Sequence, residues 1–189
     1  MCIETVDIRG VVLTTDRLIL RPFEKSDLYD FNSYAKVEGV GECAGWKHHE
    51  SLEESKQILD HFISGHHTFA VVDRASGKVI GSLGIERSDE AYGEVFKDKK
   101  VNELGYVLSK DFWGKGLMTE AARAVIAFMF EKLNLDAVTC GHFIGNDRSR
   151  RVIEKCGFKY FGEAEYTTRM GDVVKSKYYV LTRGEYYKV

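Results

Sequence analysis

Leu108-Ser109-Lys110-Asp111-Phe112-Trp113-Gly114-Lys115-Gly116-Leu117-Met118-Thr119-Glu120-Ala121 joins two elements of opposite period. Residues 101–109 read as a strand. Residues 117–133 read as a helix with Leu117, Ala121, Val125, Phe128 and Leu133 on one face. Between them lies a loop punctuated by Gly114 and Gly116, opening directly onto the helix. A helix N-terminus carries unpaired N–H groups and a partial positive charge, which makes it an anion site. Glycine removes the Cβ that would block close approach, Lys115 adds a cation, and the Thr119 hydroxyl can reach a phosphate oxygen. W-G-K-G alone is equally a plain strand-to-helix turn. The loop is neither G-x-x-x-x-G-K-[ST] nor G-x-G-x-x-G, so two common phosphate cradles are excluded.

Outward from the loop, helices and strands mix. Val11-Val12-Leu13 and Leu18-Ile19-Leu20 alternate around Thr14-Thr15-Asp16 as a short strand pair. Ser26-Asp27 marks a helix start, with Leu28, Phe31 and Tyr34 following at threes. Ser51 and Glu54 form a capping-box pattern ahead of Leu52, Ile58, Leu59 and Phe62. Residues 68–73 and 78–85 are strands joined by Arg74-Ala75-Ser76-Gly77, and residues 88–100 are a polar loop. A strand over 137–143, a helix over 147–156, and strands over 158–168 and 173–182 complete the order ββαα-βββ-α-β-α-ββ. That order predicts an α/β (α+β) domain with a mixed, mostly antiparallel sheet and helices on both faces. No repeat or composition shift divides the 189 residues, so one domain, 1–189, is expected.

The bulk chemistry is that of an ordinary globular protein: 44% hydrophobic, 30% charged, formal net charge -2. Nothing in that balance invites a polyanion, so no nucleic-acid partner is expected. No apolar run reaches the roughly 18–20 residues of a membrane span, and MCIETVDIRG is no secretory leader. Cys2, Cys43, Cys140 and Cys156 are widely spaced and read as reduced thiols of a cytoplasmic protein. His48, His49, His61, His66 and His67 fall at no metal spacing, so no metal is expected.

Four segments together resemble the GNAT superfamily of acetyltransferases. Residues 113–118 fit the register of its pyrophosphate motif, [Q/R]-x-x-G-x-[G/A], with Trp113 and Met118 as departures. W-G-K-G followed by T-E-A looks like the RimJ/RimL branch, the ribosomal-protein N-terminal acetyltransferases and their relatives. Thr15-Asp16-Arg17-Leu18-Ile19-Leu20-Arg21-Pro22-Phe23 is similar to that branch's opening, T-x-R-L-x-L-R-P-[FW]. Residues 146–158 are similar to its late signature, N-x-x-S-x-x-x-x-E-K-x-G-F, and residues 103–108 look like the strand before the loop.

The resemblance implies a single GNAT domain using acetyl-CoA as acyl donor, with direct attack by a primary amine on the thioester. The acceptor would be a protein N-terminus or a small-molecule amine, and a homodimer is open to it. By position, Trp113, Gly114, Lys115, Gly116, Leu117, Met118 and Thr119 would hold the pyrophosphate. Backbone groups of Tyr106, Val107 and Leu108 would pair with the pantetheine arm, the Tyr106 N–H polarising the thioester carbonyl. Asn146 would bond the pantetheine amide. Ser149 would return a proton to the thiolate, since the family's frequent acid tyrosine is here Ile153. As plain structure, Asn146 is a helix cap and Ser149 a first-turn residue. The base is Glu103, His142 or a water chain. Trp46 is either a substrate-facing aromatic or a shield over the core. A rival function is a non-catalytic acyl-CoA-binding module.

Overall fold

The computed structural model describes residues 6–88, 92 and 95–188. Its strands are β1 (Leu13–Thr14), β2 (Leu18–Pro22), β3 (Thr68–Asp73), β4 (Val79–Arg87), β5 (Val101–Leu108), β6 (Ala137–Phe143), β7 (Lys159–Thr167) and β8 (Val173–Thr182). Its helices are α1 (Leu28–Ala35), α2 (Leu52–Gly65), α3 (Leu117–Glu131), α4 (Asp147–Lys155) and α5 (Arg183–Tyr186). One sheet takes the order β1-β2-β3-β4-β5-β6-β8-β7. The predicted α/β class, mixed sheet and helices on both faces are what the structure has.

Sheet alternation builds two cores. On β3, Phe69 and Val71 join the core under α3, while Ala70 and Val72 join the one under α1 and α2. The α3 face is broader than its predicted stripe. Leu117, Met118, Ala121, Ala122, Val125, Ile126, Met129 and Phe130 are buried, and Phe128 is only half-buried at the margin.

Local chemistry explains most boundaries. Ser51 caps α2 by accepting the Glu54 N–H at 3.1 Å. The Glu54 carboxylate reaches Glu50 N–H instead of closing the box on Ser51. Asp27 does not cap α1 through its side chain. It takes a two-pronged bond from Arg21, 2.8 Å on each side, and accepts the Glu24 N–H at 2.8 Å within the 3-10 turn Lys25–Asp27. Asp27→Ala should therefore strand a half-buried guanidinium and an amide, costing about 2 kcal/mol. The expected fall in Tm is about 4–8 °C by calorimetry. α5 carries too few residues to show a helical period; Thr182 and Glu185 close a full capping box there.

The 88–100 segment departs from a simple solvent loop. Within it Tyr92 is 2% exposed and donates to the carbonyls of Cys140 and Tyr179 at 3.0 and 3.2 Å.

The functional geometry comes from one short pairing. All neighbouring strands are antiparallel except β5 and β6, which run parallel and pair only at Val101, Asn102 and Glu103. Beyond Glu103 they diverge. Leu104 to Leu108 keep β4 on one side and, among the described residues, have no strand on the other, and unpaired backbone polar groups demand a partner. The loop after β5 lies at the mouth of this split.

Candidate active site

A cleft of about 350 Å³ fills the split between β5 and β6. Ligand sites run from about 300 to 1,000 Å³, so it has room for a small-molecule arm. It gathers Glu103, Tyr106, Val107, Leu108, Trp113, Gly114, Gly116, Leu117, Met118, Thr119, Asn146 and Ser149, every proposed residue except Lys115. Lys115 stands outside on the loop, its Nζ 4.9 Å from the centre of the Phe112 ring.

The loop has the backbone its glycines predict. Gly114 and Gly116 have φ of 76° and 77°, left-handed values that strain other residues. Gly116 is the N-cap of α3, and no side chain caps that end. The first N–H groups of the helix therefore have no intrahelical partner and face the cleft mouth. Met118 packs its side chain into the core at 5% exposure, so the bulkier residue costs the loop no room. Trp113 donates its indole N–H to the Leu108 carbonyl at 2.7 Å, and Arg148 stacks 4.0 Å over the same ring. Arg148 belongs to this site although no motif marks it; only the fold brings α4 over the loop.

The opening strand acts on the loop as well. Glu120 in the first turn of α3 accepts from Thr15 Oγ1 at 2.6 Å, the Arg17 amide at 2.9 Å and Arg17 Nε at 2.7 Å. Arg17 Nη1 donates to the Lys115 carbonyl at 3.0 Å. Burial opposes charge on Glu120, but the bonds from Thr15 and Arg17 outweigh it and hold its carboxyl below the ordinary value. A depressed carboxyl contributes full stability above its unfolded pKa and loses it as pH falls through the folded one. Between about pH 6 and about pH 3.5, wild-type Tm should fall further than that of Glu120→Gln. Equal falls in thermal melts would contradict this clamp.

At the inner end, the Tyr106 phenol lies 2.9 Å from Ser149 Oγ and 3.3 Å from the Ser149 carbonyl, reaching from β5 to α4. Burial pushes that phenol well above its ordinary range, so it stays protonated. Asn146 caps α4, its Oδ1 accepting the Ser149 N–H at 3.2 Å while Nδ2 donates to the Cys43 carbonyl at 3.3 Å. Its structural role is thus realised, and it pins the 3-10 turn Glu42–Ala44 against the cleft.

Trp46 takes its structural alternative, while His142 lines the cleft with both ring nitrogens near a partner. His142 Nδ1 lies 2.9 Å from the Phe143 carbonyl, which requires a proton on Nδ1. Nε2 lies 3.1 Å from the Tyr179 hydroxyl. Trp46 packs against Gly41, where a Cβ would collide with its ring, and against His49 at 5.2 Å. Among the aromatic rings that line the cleft, Phe143 and Tyr166 pack against each other, 5.5 Å apart.

Cys43, Cys140 and Cys156 are free thiols, and Cys2 lies outside the described residues. Among the described residues, no cluster of three or more His, Cys, Asp or Glu could hold a metal ion, and no helix is long and apolar enough to cross a membrane.

Residues 17–159 match the family model described as "Acetyltransferase (GNAT) domain". The Bacillus subtilis protein YdaF is 34% identical over 88 residues, which cover 47% of this chain and 44% of YdaF. Among solved structures, the ribosomal-protein-S5-alanine acetyltransferase of Vibrio fischeri aligns with a TM-score of 0.73 at 23% identity, over 93% of this chain and 98% of its own. The spermidine N-acetyltransferase of Vibrio cholerae, in complex with CoA and spermine, gives a TM-score of 0.73 at 19% identity, over 92% and 99%. At such identities the two structures speak for the fold.

Proposed function

Because the chain belongs to the GNAT acetyltransferase family, we propose that it transfers an acetyl group from acetyl-CoA to a primary amine by direct attack within the β5–β6 split. The observation that carries this reading is the Tyr106–Ser149 contact at the inner end of a cleft whose mouth is an uncapped helix N-terminus. An anion holder and a proton donor stand at opposite ends of one channel, as thioester chemistry on a pyrophosphate-bearing donor requires. When bound, the donor would supply an activated acyl group on sulfur; the remaining work falls to this chain.

The loop 113–118 and the first turn of α3, with Thr119, would hold the pyrophosphate, and Lys115 and Arg148 would add charge. The open edge of β5 would pair with the pantetheine arm through the backbone of Tyr106; the Val107 amide and carbonyl, which the resemblance would also use, face Ser82 on β4 in this register. The Leu108 carbonyl already accepts the Trp113 indole, so it contributes less than its position suggests. The Tyr106 N–H would polarise the thioester carbonyl. Ser149 would hold its hydroxyl proton where the thiolate departs. Tyr106, kept protonated, would donate to Ser149 Oγ and so leave the serine proton facing the cleft. Glu103, the one carboxylate among the described lining residues, is the base we favour.

Of the structural neighbours, one is named for a ribosomal-protein alanine and the other for spermidine, so both acceptor classes belong in the test. Thiol release from acetyl-CoA, measured with peptides bearing a free α-amine and with polyamines, should show turnover on at least one class. Tight coenzyme A binding without turnover on any would support the non-catalytic module instead.

A further inference from the structure

We propose that Ser176 is the specificity-determining residue of the acceptor half of the cleft, bonding the acceptor's chain beyond its reacting amine. The inference rests on the acetyl-transfer reading above. Ser176 lies on β8, 3% exposed, and its Oγ has no hydrogen-bond partner among the described residues, yet the residue lines the cleft. A buried hydroxyl offers one donor and two acceptor sites, and leaving it unmatched is costly. A ligand that enters the cleft would supply the match.

The surroundings say which ligand. Ser176 is paired with Phe143 on β6 and with Ala164 on β7, so it shares their face of the sheet. Phe143 and Tyr166 form one wall there, and a Cβ added at Gly45 would stand 3.2 Å from each ring. Glu103 is level with Thr139, and Phe143 lies four residues further along β6. At the rise of a strand, Ser176 thus stands about 13 Å from Glu103 along the sheet and about one residue beyond the level of Tyr106. An extended peptide whose amine reacts beside Tyr106 carries N–H and C=O groups from its first residue onward. Glu103 is the only carboxylate among the described lining residues, whose other charges are Arg148, Arg151 and Lys155. A polyamine would bring several ammonium groups to one carboxylate set among Arg148, Arg151 and Lys155, and it offers a hydroxyl donors alone, where a peptide offers both N–H and C=O. The site therefore takes the α-amine of an extended peptide in preference to a polyamine.

The test compares wild type, Ser176→Ala and Ser176→Thr with acetyl-CoA and two acceptors, a C-terminally amidated tetrapeptide and spermidine. Wild type should prefer the tetrapeptide. Ser176→Ala should raise the peptide KM about five- to tenfold. The KM for acetyl-CoA should stay the same, and Ser176→Thr, which keeps the hydroxyl, should retain the wild-type peptide KM. An unchanged peptide KM in Ser176→Ala, or an equal rise in the acetyl-CoA KM, would overturn the role of Ser176. A wild-type preference for spermidine would overturn the peptide assignment. Thiol release with neither acceptor would instead strike the acetyl-transfer reading itself, and the inference with it.

Discussion

Gly116→Glu is expected to abolish coenzyme A binding while leaving the chain folded. The space beside Gly116 is open on the protein side, with Arg17 Nη2 3.7 Å from where a Cβ would stand. A glutamate there would meet a left-handed φ, costing about 1 kcal/mol, and would then find a guanidinium and a helix N-terminus to receive it. The protein would supply its own anion to the anion site. Repulsion from that carboxylate and loss of the cradle should weaken coenzyme A at least about a hundredfold by calorimetry. Gly116→Ala, which keeps the strain without the charge, should lose far less. Equal losses in the two would mean that backbone shape, and not anion competition, governs the loop. Unaltered affinity in both would remove residues 113–118 from the cofactor site.

Ser149→Ala is expected to lower kcat about a hundredfold, with coenzyme A affinity little changed, since a positioned proton donor contributes about 10²- to 10⁴-fold. Tyr106→Phe should lower kcat about tenfold, because the serine survives but loses the phenol that orients it. The double variant should cost little more than Ser149→Ala alone, because Tyr106 acts through Ser149. Multiplying losses in the steady-state rates would mean that the two side chains work independently, and an unchanged rate in Ser149→Ala would take both out of the chemistry.

What could be read from the chain follows the range of the interactions. Ser51 capping α2, Asn146 capping α4 and the left-handed glycines of the loop depend on neighbours within a few residues, so local chemistry reveals them. The position of Glu103, Tyr106 and Ser149 on one cleft followed from the resemblance, because motif order carries a fold with it. Geometry at long range did not follow. Glu120 and Arg17 are 103 residues apart, and nothing local says that T-x-R in the first hairpin clamps the loop. The Tyr106 phenol meets Ser149 across 43 residues, whereas from sequence only the backbone of Tyr106 had a role. Arg148 over Trp113 was invisible for the same reason. Trp46 could have turned either way, and the decision lay with Gly41 and His49. Asp27 shows the reverse case. Its type suits a cap, but a bidentate arginine outcompetes the helix end for its carboxylate.

The clearest trial of the account is a count of products. Purified protein, acetyl-CoA and a tetrapeptide with a free α-amine are mixed, the thiol released is titrated, and the acetylated peptide is measured by mass spectrometry. Direct transfer in the β5–β6 split predicts one acetyl amide per thiol released and no acetyl group on the protein at any time. Thiol released without acetylated peptide, or an acetylated protein forming ahead of the amide, would contradict it.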